Sequence, residues 1–130
     1  MIVDSSALVA MLWREPEGEA FGKAIAADRS PVVSAANYLE AGIVIDRERN
    51  PALSAKLDAV IAELGIAIVP VTPEHAKIAR QAYRDFGKGS GHPAKLNFGD
   101  CFAYALATER GDALLYKGED FAHAGLARVV

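Results

Sequence analysis

Cysteine is nearly missing from this chain of 130 residues, which contains only Cys101. One thiol cannot form an internal disulfide, and such cysteine usage is typical of a reducing compartment, so we expect a cytoplasmic protein. No apolar run approaches the roughly 18–20 residues of a membrane span. No Lys or Arg precedes the apolar start of the chain, as one would in a signal peptide. We therefore expect no role for a membrane.

Positive charge is also scarce: the chain contains 14 Lys and Arg residues but 17 Asp and Glu residues, so its net charge is −3. This balance disfavours a protein that coats nucleic acid through bulk charge, so any such contact must use a local basic patch. Hydrophobic residues make up 52% of the chain, which is typical of a globular protein. The length suits a single domain, residues 1–130.

Short β-rich runs alternate with longer helical stretches. The predicted strands are Met1–Val3, Pro31–Val33, Ile66–Val69, Ala113–Tyr116 and Ala127–Val129. The predicted helices are Ser6–Trp13, Pro16–Ala27, Ala36–Arg49, Ala52–Leu64, Pro73–Phe86 and Phe98–Arg110. This alternation indicates an α/β fold in which helical crossovers join parallel strands. The glycine-rich segment Gly87–Pro93 is predicted to be a flexible loop.

Three apolar segments each contain one charged residue, and each time it is an acid. Residues 1–13 contain Asp4, residues 31–45 contain Glu40 and residues 96–108 contain Asp100, although 24% of the whole chain is charged. An isolated carboxylate in a core is costly unless something compensates its charge. A divalent cation can compensate several carboxylates together. The pattern therefore predicts that these three acids share a metal site.

The position of each acid along the chain favours their convergence. Asp4 directly follows the first predicted strand, and open α/β sheets bind ligands at the carboxyl ends of their strands. Asp100 lies in the first turn of its predicted helix, and Glu40 about one turn into its own. A further acidic pair, Glu119 and Asp120, follows the strand Ala113–Tyr116.

Structural roles are alternatives for most of these acids. Asp4 is also suited to cap the helix that follows it, and Asn97 with Asp100 resembles a capping box. Glu119 and Asp120 are equally suited to cap or solvate a turn. Only Glu40 lies where a helix cap is not needed.

A basic strip is predicted on and beyond the helix Pro73–Phe86. Its members are spaced by three and four residues on one helix face, with one more after the glycine-rich loop: Lys77, Arg80, Arg84, Lys88 and Lys95. Such a strip is suited to phosphate contacts, and an ordinary solvated helix face is the alternative. The interleaved Tyr83 and Phe86 are expected in the core.

No side chain is predicted to be a catalytic nucleophile. His75, His92 and His123 lie far apart and are expected on the surface, and Cys101 is expected to pack in an apolar helix. Hydrolysis assisted by a metal ion is therefore the favoured chemistry. The alternatives are a non-catalytic binding module and a metal-dependent phosphatase, but aspartyl phosphatases usually have a second Asp where this chain has Ser6.

Four motifs in order resemble the PIN-domain nucleases, and within them the VapC-type toxins of bacterial toxin–antitoxin pairs. They are MIVDSSALVAML, SAANYLEAGIVI, LNFGDCFAYALA and ALLYKGEDFAHAGL, and together they extend along nearly the whole chain. The resemblance implies a three-layer α/β/α fold with a central parallel sheet, and Mg²⁺- or Mn²⁺-dependent cleavage of RNA. It also implies a homodimer and a cognate VapB-like antitoxin as partners.

The resemblance also assigns the site. Asp4, Glu40 and Asp100 match the first three acids of the family. Many relatives have an acid at the position of Gly118, so the fourth acid is expected to be Asp120, with Glu119 the next candidate. Asp4 and Asp100 are expected to contact the metal, Glu40 to bind it through water or act as general base, and Ser6 to help hold the site.

Overall fold

The computed structural model describes residues 1–130. Its four strands are β1 (Ile2–Val3), β2 (Val32–Ser34), β3 (Ala67–Val69) and β4 (Leu114–Leu115). Its six α-helices are α1 (Ser5–Leu12), α2 (Gly18–Ala27), α3 (Ala35–Asp46), α4 (Pro51–Glu63), α5 (Pro73–Phe86) and α6 (Phe98–Arg110). A 3₁₀ turn follows β4 at Asp120–Ala124. None of these helices combines the length and hydropathy that crossing a membrane requires.

The four strands form one parallel sheet in the order β3-β2-β1-β4. The chain passes outward from β1 through β2 to β3 and then returns to place β4 on the other side of β1. Strand order therefore reverses between β1 and β4, and ligand sites of open α/β sheets form outside the carboxyl ends of the strands at such a point. Asp4 is the first residue after β1, at this crevice.

Side chains alternate between the two faces of the sheet, as a period of two residues requires. Val3, Val33 and Leu115 belong to one buried cluster, which also contains residues from α1 to α4. Ile2 and Leu114 belong to a second cluster on the opposite face, together with residues from α5 and α6. The predicted three-layer α/β/α fold is confirmed.

The predicted elements agree with the structure most closely where capping signals are strong. The bounds of α5 and α6 are those predicted, and the Thr72 hydroxyl accepts a hydrogen bond from the His75 amide at 3.1 Å. Gly65 and Gly111 have the left-handed conformation expected after a helix, with φ of 65° and 62°. The bounds of the other helices and of the four strands agree with the predicted ones to within three residues.

The predicted fifth strand, Ala127–Val129, is wrong. This segment meets β4 only at an isolated parallel bridge between Leu114 and Arg128, where two backbone hydrogen bonds form. Gly125, with φ of 78°, turns the chain just before it, and the Arg128 guanidinium lies 4.4 Å from the centroid of the Tyr116 ring. A single bridge, together with contacts of the Arg128 side chain, therefore holds the segment in place of a strand ladder.

The predicted surface position of His75 is also wrong. Its side chain is only 5% exposed, and its Nε2 lies 2.8 Å from the Glu109 carboxylate on α6. Its Nδ1 accepts a hydrogen bond from the Thr72 amide and completes the capping box of α5. The first turn of α5 faces α6, so this histidine is buried between the two helices. His92 is half-buried, and His123 alone is exposed.

The segment Gly87–Pro93 has neither helix nor strand, as predicted, apart from a single parallel bridge between Gly87 and Leu96.

Candidate active site

Asp4 caps helix α1, and one of its oxygens remains without a partner. Its Oδ2 accepts hydrogen bonds from the Ser6 amide at 3.0 Å and from the Ser6 hydroxyl at 2.6 Å. Its Oδ1 is buried and has no hydrogen-bond partner. Only 2% of the residue is exposed. The capping role is therefore real, but it uses half of the carboxylate and leaves a buried acceptor available for a ligand.

Ser6 also joins the ends of the two central strands. While its hydroxyl donates to Asp4, its Oγ accepts a hydrogen bond at 3.0 Å from the amide of Lys117, which lies just beyond β4. The side chain of Lys117 instead forms ion pairs with Glu15 and Glu17. The start of α1 is thereby held at the crevice between β1 and β4.

Glu40 is held by side chains from two different helices. Ser5, on α1, donates its hydroxyl to Glu40 Oε1, and Asn37 donates its Nδ2 to the same oxygen at 3.3 Å. Asn37 lies one turn earlier on α3, is fully buried, and also donates to the carbonyl oxygen of Gly99 at 2.9 Å. The half-buried carboxylate of Glu40 is thus fixed between α1 and the first turn of α6.

Asp100 takes part in the capping box that its sequence context suggested. Its amide donates to Asn97 Oδ1 at 2.9 Å, and its Oδ2 accepts from the Asn97 amide at 3.0 Å. As with Asp4, this structural role coexists with membership of the acidic cluster, because one carboxylate oxygen of Asp100 remains outside the capping box.

The acids are close enough to affect one another's ionisation. Burial, together with the nearby Glu40 carboxylate, raises the pKa of Asp4 to about 6. Burial is also the main cause for Asp100, whose pKa rises to about 7. Three like charges contribute to that rise: Asp4, Asp120 and Glu40. The crevice therefore concentrates negative charge where water is partly excluded, which is unfavourable without a cation.

The side chains are not arranged as a ready-made cage for a metal. No three His, Cys, Asp or Glu side chains lie close enough together to hold an ion between them. Mg²⁺ commonly keeps several of its waters and binds through one or two carboxylates. The unpartnered Oδ1 of Asp4, beside other acids with raised pKa values, fits that mode of binding.

Comparison with known proteins agrees with this geometry. A family model described as the PIN domain matches residues 1–126. The chain is 51% identical over 130 residues to Ribonuclease VapC28 of Mycobacterium tuberculosis, covering 100% of this chain and 98% of that relative. This chain belongs to the PIN domain family. The resemblance to VapC-type members of that family is confirmed.

Two solved structures show the same fold as this PIN domain. One is the crystal structure of VapC20 from Mycobacterium tuberculosis, described as a toxin that cleaves the sarcin–ricin loop. It has a TM-score of 0.74 and 16% identity, over 97% of this chain and 95% of that one. The other is a toxin–antitoxin complex from Klebsiella pneumoniae, with a TM-score of 0.73 and 14% identity, over 95% of this chain and 92% of that one.

Asp120, the predicted fourth acid, is exposed. It opens the 3₁₀ turn after β4, and its charge reaches Asp100. Its neighbour Glu119 is also exposed, and its carboxylate lies 3.7 Å from the Arg128 guanidinium. Neither side chain caps the turn.

The five residues of the basic strip are all exposed, on α5 and in the loop that follows it. Only Lys77 forms an ion pair, with Glu74 at 3.5 Å. The two interleaved aromatic residues differ. Phe86 is half-buried and packs against Tyr104, as predicted, whereas the prediction for Tyr83 is wrong because 46% of it is exposed.

Sequence reasoning missed the residues that surround Glu40. Ser5, Asn37 and Gly99 touch its carboxylate or share its hydrogen bonds, and none of them carries a charge that would draw attention. One signal was present, since Asn37 is a polar residue three positions before Glu40 and therefore on the same helix face. Cys101 is packed as predicted, and burial raises the pKa of its thiol to about 11.

Proposed function

We propose that this PIN domain is the toxin of a toxin–antitoxin pair and acts as a ribonuclease that requires a divalent metal. The relative that is 51% identical over the whole chain is named a ribonuclease, which supports RNA as the substrate. The metal requirement rests on one observation in the site. Asp4 presents a buried oxygen without a partner to a crevice where burial and like charges raise the pKa of two carboxyl groups.

Asp4 and Asp100 would hold the metal ion, either Mg²⁺ or Mn²⁺, both of which prefer oxygen ligands. Asp4 contributes Oδ1, and Asp100 contributes the oxygen that its capping box leaves available. A bound cation would favour the ionised form of both groups and so reverse the pKa rise that burial causes. Their chemistry therefore fits a hard divalent cation.

When bound, such an ion acts as a Lewis acid, offsetting charge on the scissile phosphate and making water more acidic. Glu40 would orient the attacking water or accept its proton. Ser5 and Asn37 hold this carboxylate in place, and positioning of this kind is a large part of catalysis. Asp120 completes the acidic cluster from the exposed side, and Ser6 keeps Asp4 oriented.

The basic strip would bind RNA phosphates. Of its members, Arg80, Arg84, Lys88 and Lys95 are exposed and free of ion pairs, so their charges are available to a polyanion despite the net charge of −3. Arg84 and Lys88 lie toward the end of α5 and in the following loop. The strip supplies affinity for the backbone, whereas the acids supply the chemistry.

A cognate VapB-like antitoxin is the expected protein partner. One solved structure with this fold is described as a toxin–antitoxin complex, which supports that expectation. A homodimer, a cytoplasmic location and a single domain over residues 1–130 remain predictions.

Cleavage of a structured RNA by the purified chain tests the proposal. We expect cleavage with Mg²⁺ or Mn²⁺, none in excess chelator, and none by Asp4→Asn. Asp46→Asn, a change at an exposed acid at the end of α3, is the matched control and should cleave like the parent. Cleavage that persists in chelator would exclude the metal mechanism. RNA binding without cleavage would indicate a binding module, and hydrolysis of a small phosphate ester alone would indicate a phosphatase.

Thermal melting gives a second readout that does not depend on activity. The parent should gain stability as Mg²⁺ is added, because the ion binds the folded state. Asp100→Asn should gain much less, while Asp46→Asn should respond like the parent. Equal responses from all three proteins would remove Asp100 from the metal site.

A further inference from the structure

An apolar groove runs between α5 and α6, outside the acidic crevice. Its cavity volume is about 490 Å³. The wall from α5 contains Ala76 and Ala79, and the wall from α6 contains Phe98 and Phe102. Small side chains opposite large rings leave a trough that neither helix fills.

The aromatic rings of this groove are exposed and held in place. Phe98 is 78% exposed, more than any other large hydrophobic residue of the chain. Its ring meets that of Phe102 edge to face, with centroids 4.9 Å apart and an interplanar angle of 87°. Tyr83 lines the opposite wall, 46% exposed, and its hydroxyl donates to the carbonyl oxygen of Lys88 at 3.1 Å. Rings already fixed in this way lose little conformational freedom when a flat ligand packs against them.

Positive charge borders the same groove. Arg80 is one of its lining residues, and Lys77 and Arg84 flank it on α5 as members of the basic strip. Aromatic faces beside cationic side chains complement a ligand that combines a flat apolar ring with an anionic backbone. Unpaired nucleotides have that chemistry, because base–aromatic stacking and phosphate contacts act together on them.

The groove and the acids are close enough to contact the same RNA strand. Phe98 is the first residue of α6 and Asp100 is the third, so the two side chains leave opposite sides of one helix end. Opposite sides of a helix are about 10 Å apart with side chains included. A strand that crosses the start of α6 would therefore bring a base to Phe98 and a nearby phosphate to the acids.

We propose that this groove binds an unpaired base of the RNA substrate, close to the phosphate that is cleaved. The proposal rests on the proposed ribonuclease function and specifies the substrate further. A base within a duplex cannot present its face to Phe98. The groove therefore selects RNA whose bases are unpaired near the cleavage site, such as a loop or a single strand.

Binding measured in chelator tests the groove without any cleavage. The probes are a single-stranded oligoribonucleotide and an abasic oligoribonucleotide of the same length and charge. Phe98→Ala should weaken binding of the first about tenfold. It should leave binding of the abasic strand unchanged, and Phe98→Tyr should restore the affinity. Leu39→Ala, at a 62% exposed residue on α3, is the matched control and should bind both probes like the parent.

Fluorescence provides a direct readout of stacking. Trp13 is the only tryptophan, so Trp13→Phe combined with Phe98→Trp places the single fluorophore in the groove. Its emission should be quenched by the oligoribonucleotide with bases and not by the abasic strand. Trp13 of the parent lies beside Ser6 and Glu40 and not in the groove, so it must be replaced for the emission to report on the groove alone.

Three results would overturn the proposal. The first is equal loss of affinity for both strands in Phe98→Ala, and the second is the absence of base-dependent quenching. The third is a change in oligomeric state by sedimentation in Phe98→Ala, which would identify the groove as an interface between copies of the chain. Base-dependent binding by a protein that cleaves no RNA would support the groove while the ribonuclease proposal fails. Cleavage with no base dependence would do the reverse.

Discussion

The carboxylate of Glu40 lies directly against the Cα of Gly99, so that a Cβ at position 99 would overlap it. Asn37 joins the same two residues, since it donates one hydrogen bond to the Glu40 carboxylate and another to the Gly99 carbonyl oxygen. Glu40, on α3, therefore packs against the first turn of α6 at Gly99.

Gly99→Ala should impair catalysis much more than stability. The added methyl displaces the end of a flexible side chain, so the fold can adjust, and alanine favours a helix by about 1 kcal/mol over glycine. The displaced Glu40 would no longer be positioned, and cleavage should fall by about 100-fold. Urea unfolding beside a cleavage assay measures both effects. Gly42→Ala on α3 is the control, because the added Cβ would lie 3.9 Å from the Leu57 side chain, an ordinary van der Waals contact. A fully active Gly99→Ala protein would contradict the role assigned to this contact.

Asn37→Ala should reduce both stability and activity. Removing the amide takes away a buried hydrogen bond to the Gly99 carbonyl oxygen, which costs about 0.5–1.5 kcal/mol. Glu40 also loses a donor, so cleavage should fall even where the variant is fully folded. Asn50→Ala is the control, since Asn50 caps α4 at an exposed site and its loss costs about 1 kcal/mol of stability. That control should cleave normally. Equal cleavage by the two variants would show that Asn37 acts on stability alone.

The metal-free protein should lose stability as the pH rises from about 4 to about 7. The folded state keeps protons on Asp4 and Asp100 up to pKa values of about 6 and about 7, whereas the unfolded chain releases them near 3.8. The folded state thus binds more protons between these limits, and the free energy of unfolding falls by about 3 kcal/mol for Asp4 and about 4 kcal/mol for Asp100. Denaturant unfolding in chelator at several pH values measures this slope.

Asp100→Asn isolates one part of that pH dependence. The variant has no proton to release at this position, so its stability should vary less with pH and should equal or exceed that of the parent at pH 8. Asp46→Asn should keep the slope of the parent. An unchanged slope in Asp100→Asn would mean that this carboxyl group ionises as it does in the unfolded chain.

Arg80→Ala combined with Arg84→Ala should weaken RNA binding and flatten its dependence on salt. Each phosphate that the protein no longer neutralises reduces the magnitude of the slope of log K against log salt by about 0.7 on a single strand, so a reduction of about 1.4 is expected for two arginines. Titrations in chelator at several salt concentrations measure this slope. Arg47→Ala combined with Lys56→Ala removes the same charge from exposed sites on the other layer of helices. If both pairs give the same slope, the strip is an ordinary solvated face.

The sequence alone determined the fold class and pointed to the candidate acids of the site. Alternating strands and helices required a parallel sheet, and Thr72 and Asn97 marked where α5 and α6 begin. Asp4, Glu40 and Asp100 stood out because each is the only charge in an apolar segment. These signals are local: periodicity, capping and composition act over a few residues, so they can be read along the chain.

Only the tertiary structure decided which neutral residues surround those acids. Asn37 reaches Gly99 across 62 positions of the chain, and Ser5 reaches Glu40 across 35. The burial of His75 against Glu109 and the exposure of Phe98 likewise depend on how α5 packs on α6. The segment after Gly125 had the composition of a strand, but it meets β4 at a single bridge. Side-chain direction between distant elements is set by packing, and packing has no signature within one short window of sequence.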